Sequence, residues 1–276
     1  MYLSFHLCDL IKKSHEKKPS FYDSTAICSQ CSLFNLSLFA LSCKKDRVGV
    51  PGPVAQKRVS RIEQNNSPVG EFTYDASGRL SEYNSVNYKI KYDYTGNGFS
   101  FKSYSYGVLN SELKDVVLAD KKLSSFVCQY YSQGQQANAV PTIFEYNPDG
   151  KLKSFRDDEN NYEFTYSNGD FITLVEKKIS TGVIVETSTF EYYQDMPSKF
   201  NLPLLDYFFA LPVLSESMTG APNKHLMKKV TSVRGANTYI TEFTFEQDAN
   251  GNVTGYTQVY KKNNDSPVTS LIRIFY

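Results

Sequence analysis

"FTYDASGRLSEY", residues 72–83, is the stretch on which the fold turns. Asp75, Ser77 and Arg79 are residue types found in catalytic sites, yet the same run fits the two arms and the bend of a β-hairpin. Its spacing recurs. Asp75-x-x-Gly78-x-Leu80-x-x-Tyr83 returns as Asn147-x-x-Gly150-x-Leu152-x-x-Phe155 and as Asp248-x-x-Gly251-x-Val253-x-x-Tyr256. Each copy follows an alternating aromatic run: Phe72 and Tyr74, Phe144 and Tyr146, Phe243 and Phe245. Asp or Asn at the first turn position accepts a hydrogen bond from the backbone further on. Gly at the fourth supplies the positive φ of a type I turn with a G1 bulge. Asp75 and Asn147 therefore read as turn-formers, with Arg79 and Lys151 on the solvated side of the returning strand.

The period of two continues on either side. In "VNYKIKYDY", 86–94, Val86, Tyr88, Ile90, Tyr92 and Tyr94 share one face, with Asn87, Lys89, Lys91 and Asp93 on the other. Gly96-Asn97-Gly98 turns the chain into "FSFKSYSY", 99–106, and Ser167-Asn168-Gly169-Asp170 joins "YEFTY", 162–166, to "FITLVEKKI", 171–179. Further strands are expected at 182–193, 226–233, 238–247, 252–260 and 268–276. The fold class is all-β: an antiparallel up-and-down meander of about 12–16 strands forming a barrel or strongly curved sheet. One stretch differs. "NLPLLDYFFALPVL", 201–214, places Leu204, Tyr207, Phe208 and Leu211 at helical spacing behind Pro203, which predicts a short helix near 203–211 in a connection spanning 196–225. Its expected role is to cover an open end of the β-structure, which makes Tyr207, Phe208 and Leu211 candidate ligand or lid contacts.

Composition supports a folded β protein. The chain has 21 Tyr and 19 Phe but no Trp, and aromatic rings suit pleated, half-buried surfaces. The formal charge of +1, with no basic block, argues against a nucleic-acid binder.

Residues 31–43, "CSLFNLSLFALSC", follow Lys12, Lys13, Lys17 and Lys18 and precede Lys44-Lys45-Asp46. A positive region, a short apolar core and small residues form the order of a secretory signal. Ala40-Leu41-Ser42-Cys43 resembles a bacterial lipobox, in which Cys43 becomes the lipid attachment site and new N-terminus; Ala40 stands where Leu is more usual. A leader of 42 residues is longer than the customary 15–30, which would fit a start codon downstream of Met1. The expected organisation is a signal at 1–43, a flexible linker at 44–55 and a single β domain at 56–276. Processing would remove four lysines and three acids, leaving 26 charges of each sign. It would also leave Cys128 and His225 as the remaining cysteine and histidine beside the lipidated Cys43. Cys28-Ser29-Gln30-Cys31 has no second pair to make a zinc or redox site.

The turn copies resemble the YD repeats of bacterial surface and toxin-shell proteins, best at residues 74–80. Residues 43–276 as a whole resemble a family of bacterial outer-membrane lipoproteins of unknown function. The residues that carry this are the lipobox, the hairpins, the Leu-rich insertion and the segment Asn223-Lys-His-Leu-Met-Lys-Lys-Val230. The resemblance implies a porin-like β-barrel fold and supplies no catalytic residue. The terminal "LIRIFY", 271–276, is of a kind seen in outer-membrane barrels, but Tyr rather than Leu or Val on many apolar positions favours a lipid-anchored barrel outside the bilayer.

No triad, zinc motif, P-loop or dinucleotide fingerprint is present. Asp157-Asp158-Glu159, before Asn160-Asn161, reads as a polar hairpin loop rather than a glycosidase acid pair. Asp248-Ala-Asn250-Gly-Asn252 has partial calcium-loop spacing without the distal Glu. The expectation is a non-enzymatic, cofactor-free cell-envelope protein that binds a glycan, an apolar ligand or a protein partner. The alternatives are a carboxylate-based glycoside hydrolase and an integral outer-membrane barrel.

Overall fold

The computed structural model describes residues 58–95, 98–120, 122–198 and 223–276. Sixteen antiparallel strands follow in chain order: β1 (Arg61–Gln64), β2 (Ser67–Tyr74), β3 (Leu80–Asn84), β4 (Tyr88–Thr95), β5 (Gly98–Ser105), β6 (Val108–Ala119), β7 (Lys122–Ser132), β8 (Gln135–Tyr146), β9 (Leu152–Arg156), β10 (Asn160–Ser167), β11 (Asp170–Lys178), β12 (Ile184–Pro197), β13 (His225–Arg234), β14 (Asn237–Gln247), β15 (Val253–Lys262) and β16 (Val268–Phe275). Each pairs with its sequence neighbours, and β1 pairs with β16 through Arg61↔Phe275 to Gln64↔Ile272, closing the barrel. The meander expected from the sequence is thus a complete ring, with no open sheet edge among the described residues. The predicted helix at 203–211 and the segments 1–43 and 44–55 lie outside the described residues.

Because the strands simply go up and down, the turns fall on two rims. The chain enters at Arg58 and ends at Tyr276 on one, here the entry rim; the odd-to-even turns form the far rim. The β2–β3, β8–β9 and β14–β15 turns are the three recurring copies, and all lie on the entry rim. Their irregular sequence spacing conceals a regular placement. In each, the Gly N–H donates to the Asp or Asn carbonyl at 2.8–2.9 Å, and the Asp or Asn N–H donates to the carbonyl of the residue before the aliphatic. Gly78, Gly150 and Gly251 have φ of 79°, 85° and 74°, so the type I turn with a G1 bulge is realised three times.

Alternation sorts the walls. Inward residues from every strand merge into one core, from Ile62 in β1 through Phe72, Tyr92, Phe101, Phe144, Phe155, Phe171, Phe190, Phe243 and Tyr256 to Ile274 in β16. The rings meet across neighbouring strands: Phe155 stacks on Tyr162 with centroids 4.3 Å apart, and Phe171 tilts onto Phe190 at 4.3 Å. Outward, Glu71, Lys91, Asp93, Glu145, Lys153, Glu191, Glu242 and Arg273 are exposed. Val86 is the exception to the predicted face. It sits in the β3–β4 turn, ahead of the strand start at Tyr88, and is 76% exposed.

Tyrosines then fasten the entry rim. The hydroxyls of Tyr74, Tyr94, Tyr166, Tyr192 and Tyr276 donate to the carbonyls of Val59, Leu80, Leu152, Phe171 and Val253 at 2.7–2.9 Å. The acceptor is in each case a buried residue within two positions of the start of an odd strand; the donor stands within one residue of the end of the next strand, except Tyr192, which lies inside β12. The ring extends the apolar core while its hydroxyl reaches a backbone acceptor that a Phe would leave unmet. Arg58, Arg79 and Lys151 lie over the rings of Tyr74, Tyr94 and Tyr166, at 5.5, 4.2 and 5.2 Å. Burial pushes the hydroxyl of Tyr276 up to about 12, so these donors keep their protons at neutral pH.

Two expectations follow. Tyr94→Phe removes one clasp and lowers unfolding free energy by about 1 kcal/mol in denaturant titration. Gly255→Ala is harsher: an added Cβ would lie 2.7 Å from the carbonyl oxygen of Ile272, a backbone atom of the paired strand. We expect a loss of about 1–3 kcal/mol, with an unchanged midpoint counting against so close a contact.

Candidate functional site

The core does not fill the barrel uniformly. Toward the far rim the inward positions of β10–β13 become polar, and they concentrate charge. Tyr162, Glu176 and Glu186 stand in cross-strand register on β10, β11 and β12. The β9–β10 turn adds Asp157, and β13 adds Arg234 at the mouth. Asp157, Asn160, Glu176, Glu186, Ser188 and Ser232 are all buried. Arg234 Nη2 reaches Glu176 Oε2 at 3.2 Å, and its Nε lies 3.5 Å from Glu186 Oε2. Ser188 Oγ donates to Glu186 Oε1 at 3.2 Å and lies 2.6 Å from Ser232 Oγ.

Burial of several acids around one guanidinium has a predictable electrostatic result. Glu176 is raised to about 7, first by desolvation, with Arg234 opposing and Glu186 and Asp157 adding to the rise. Asp157 is raised, first by burial, although the backbone N–H groups of Asn160 and Glu159 donate to its Oδ1 at 2.6 and 2.8 Å. Asn160 Oδ1 is buried without a hydrogen-bond partner, so the cluster retains one unmet acceptor. Residues 157–159 form the hairpin loop expected between strands, and its first acid, Asp157, is buried, its carboxylate accepting from the turn's own backbone. Glu176 and Glu186 are direct neighbours bridged by one arginine, a geometry of charge closure rather than two acids set across a substrate cleft.

A second polar group lies at the entry rim. Asp170, 3% exposed in its side chain, accepts from the His225 backbone N–H at 3.0 Å, and its Oδ2 lies 2.7 Å from His225 Nδ1. Asn223 Oδ1 accepts from Phe171 N–H at 3.0 Å, and its Nδ2 donates to Tyr192 Oη at 3.1 Å. Two of the first three residues after 222 are thereby clamped to the start of β11, so His225 is satisfied as a fastening rather than set beside a nucleophile.

A third feature is on the outer wall. The β3–β4 and β5–β6 turns frame an open concavity of about 450 Å³, lined by Val86, Asn87, Lys89, Lys91, Tyr104 and Tyr106 among others.

The remaining candidates resolve unevenly. Asp75 is held by its own turn: its Oδ1 accepts from Arg79 N–H, and its Oδ2 accepts from Arg79 Nε, each at 2.8 Å. The Arg79 N–H and guanidinium hold its carboxyl below the usual range. Asp248 likewise accepts from the backbone N–H groups of Asn250 and Asn252 and from Asn252 Nδ2 at 2.9–3.1 Å, so the turn uses its oxygens. Cys43, Tyr207, Phe208 and Leu211 lie outside the described residues. Sequence reasoning missed the Glu176–Glu186–Arg234 cluster. Its one signal was charged residues on inward positions of alternating strands, visible only once register is known.

With this geometry in place, the class is a closed sixteen-stranded barrel of porin-like architecture. Among solved structures the chain is similar to a porin-like protein from Bacteroides uniformis, at 17% identity over 79% of this chain and 97% of that one, with a TM-score of 0.51. It is also similar to a porin-like protein from Bacteroides vulgatus, at 12% identity over 80% of this chain and 99% of that one, with a TM-score of 0.53. At such identities the likeness is one of fold. No family model and no curated protein matches the chain.

The raised Glu176 fixes a pH dependence. An unfolded Glu loses its proton near 4.5 and the folded one near 7, so the native state binds more protons in between. Stability from this group is present below that window and is lost as pH rises through it, by at most about 3 kcal/mol. We expect Glu176→Gln to flatten the decline of the melting temperature between pH 5 and 7.5 relative to the parent protein. Parallel curves for the two proteins would contradict the assignment.

Proposed function

We propose that this chain is a non-enzymatic binding or structural module of a bacterial cell envelope, tethered to a membrane by lipid on Cys43. The observation that carries this reading is the polarity of the barrel. A membrane-spanning barrel turns an apolar band to lipid and keeps its lumen polar. Here the apolar residues form the core, while carboxylates and ammonium groups cover the outer wall. A lipid-facing Lys or Arg near the bilayer midplane costs about 2–4 kcal/mol, and this wall carries many charges. The barrel accordingly stands outside the bilayer and takes its hold on the membrane from elsewhere. The lipobox-like Ala40-Leu41-Ser42-Cys43 supplies such a hold, and fourteen residues separate Cys43 from Arg58 at the entry rim. That arrangement turns the entry rim toward the membrane and the far rim away from it. Tyr207, Phe208 and Leu211, in the sequence between β12 and β13, are proposed as ligand or lid contacts.

The test is metabolic labelling with an alkyne-bearing palmitate in a diderm host, followed by fractionation. The parent chain should carry label and sediment with envelope membranes, whereas Cys43→Ala should lose the label and leave that fraction. Label that persists in the variant would overturn the anchor. A separate arm addresses the lumen: in planar bilayers the purified protein should open no steady ion conductance, because its core closes the bore.

A further inference from the structure

Among the described residues, eight other than glycine have positive φ, and seven of these are Asn, Asp or Gln. The eighth is Tyr106, at φ 50°, which with Gly107 at φ 78° makes the two-residue β5–β6 turn. Such a turn favours Asn or Gly at that position, since a bulky side chain there crowds its own backbone. Tyr106 gains little burial in exchange, for it is 67% exposed. Bulky residues in this conformation persist where the chain uses them.

A second local cost lies beside it. Lys91 and Lys102 are direct cross-strand neighbours on the outer wall, an arrangement of like charges that weakens strand pairing. Glu82 and Glu112 flank them in the same row. Glu82 lies 3.2 Å from Lys89, and Glu112 lies 3.5 Å from Lys102 and 3.1 Å from Lys114, so these acids sit within the wall beside the concavity, whose own lining carries the ammonium groups of Lys89 and Lys91 and no carboxylate. Lys89 is itself directly opposite Tyr104. Tyr104, Tyr106, Val86, Lys89 and Lys91 all line the same concavity of about 450 Å³, a volume within the range of small-ligand sites.

We infer that this concavity binds a carboxylated sugar, its ring against the Tyr104 and Tyr106 side chains and its carboxylate toward Lys89 and Lys91. Tyrosine offers a rigid amphipathic face at low entropic cost, and the two ammonium groups in the lining select the acidic sugar over a neutral one. The inference rests on the reading of the chain as an envelope binding module. The site's place at the far rim directs it away from the membrane in that reading.

The experiment is calorimetric titration of the full chain in detergent with oligogalacturonate, sialyllactose and a neutral maltooligosaccharide, at low and high salt. Oligogalacturonate or sialyllactose should bind, more weakly at high salt, and the neutral sugar should not. Tyr106→Asn should weaken binding at least about tenfold while the melting temperature stays level or rises, because Asn tolerates this backbone conformation. Lys91→Gln should weaken it several-fold, and Lys153→Gln, on another part of the wall, should leave it unchanged. No binding of either acidic sugar, equal binding of the neutral one, or binding indifferent to Tyr106→Asn would overturn the inference. A chain that is lipidated by the palmitate assay yet silent here would lose this inference alone; a chain that is not lipidated would lose the anchor whatever the titration shows.

Discussion

A sixteen-stranded barrel held open would be wide enough for an aqueous channel, and the inward side chains of this one are too apolar to line water. Burying them is the constraint on which the rest depends. Side chains from all sixteen strands belong to a single buried cluster, so the apolar lining is continuous around the ring and shielded from water. Closure through β1 and β16 then serves two ends: it completes that core and it removes the last pair of sheet edges. The architecture is porin-like, but its polarity is that of an ordinary core.

The same constraint accounts for the abundance of tyrosine. Where the core meets the entry rim, a ring must remain apolar on its body and still give its hydroxyl a partner, which a backbone carbonyl supplies. Tyr74, Tyr94, Tyr166, Tyr192 and Tyr276 repeat that solution around the ring. Arg79 and Lys151 complete it by covering the rings of Tyr94 and Tyr166. The recurring turn of Asp or Asn, Gly and aliphatic is therefore one half of a fastening, and a tyrosine two strands on is the other.

Most of this structure agrees with itself at every level, from turn chemistry to core pattern, and several of its disagreements fall together. Asn160 keeps a buried, unmet acceptor beside Glu176 and Glu186. Tyr106 occupies a backbone conformation suited to Asn, and Lys91 faces Lys102. All of these lie toward the far rim, whereas the entry rim is clasped by tyrosines and by the Asp170–His225 pair. Local inconsistency of this kind is where function is sought.

Sequence alone determined the secondary structure and the turns, because both depend on neighbours a few residues away. The period of two in "VNYKIKYDY", the glycine of each Asp-x-x-Gly bend and the Asn168-Gly169 hairpin carry their own physical reasons. It also bounded the strand number and left a barrel or a strongly curved sheet. What tertiary structure decided was everything that register controls. Tyr94 and the carbonyl of Leu80, Glu176 and Glu186, and Lys91 and Lys102 meet only when strands are aligned to the residue. A slip of one residue would send each of those side chains to the opposite wall. Asp157 shows the limit most plainly. In the chain it is the first of three acids in a loop, and only the closed ring of strands turns it inward and deprives its carboxylate of water.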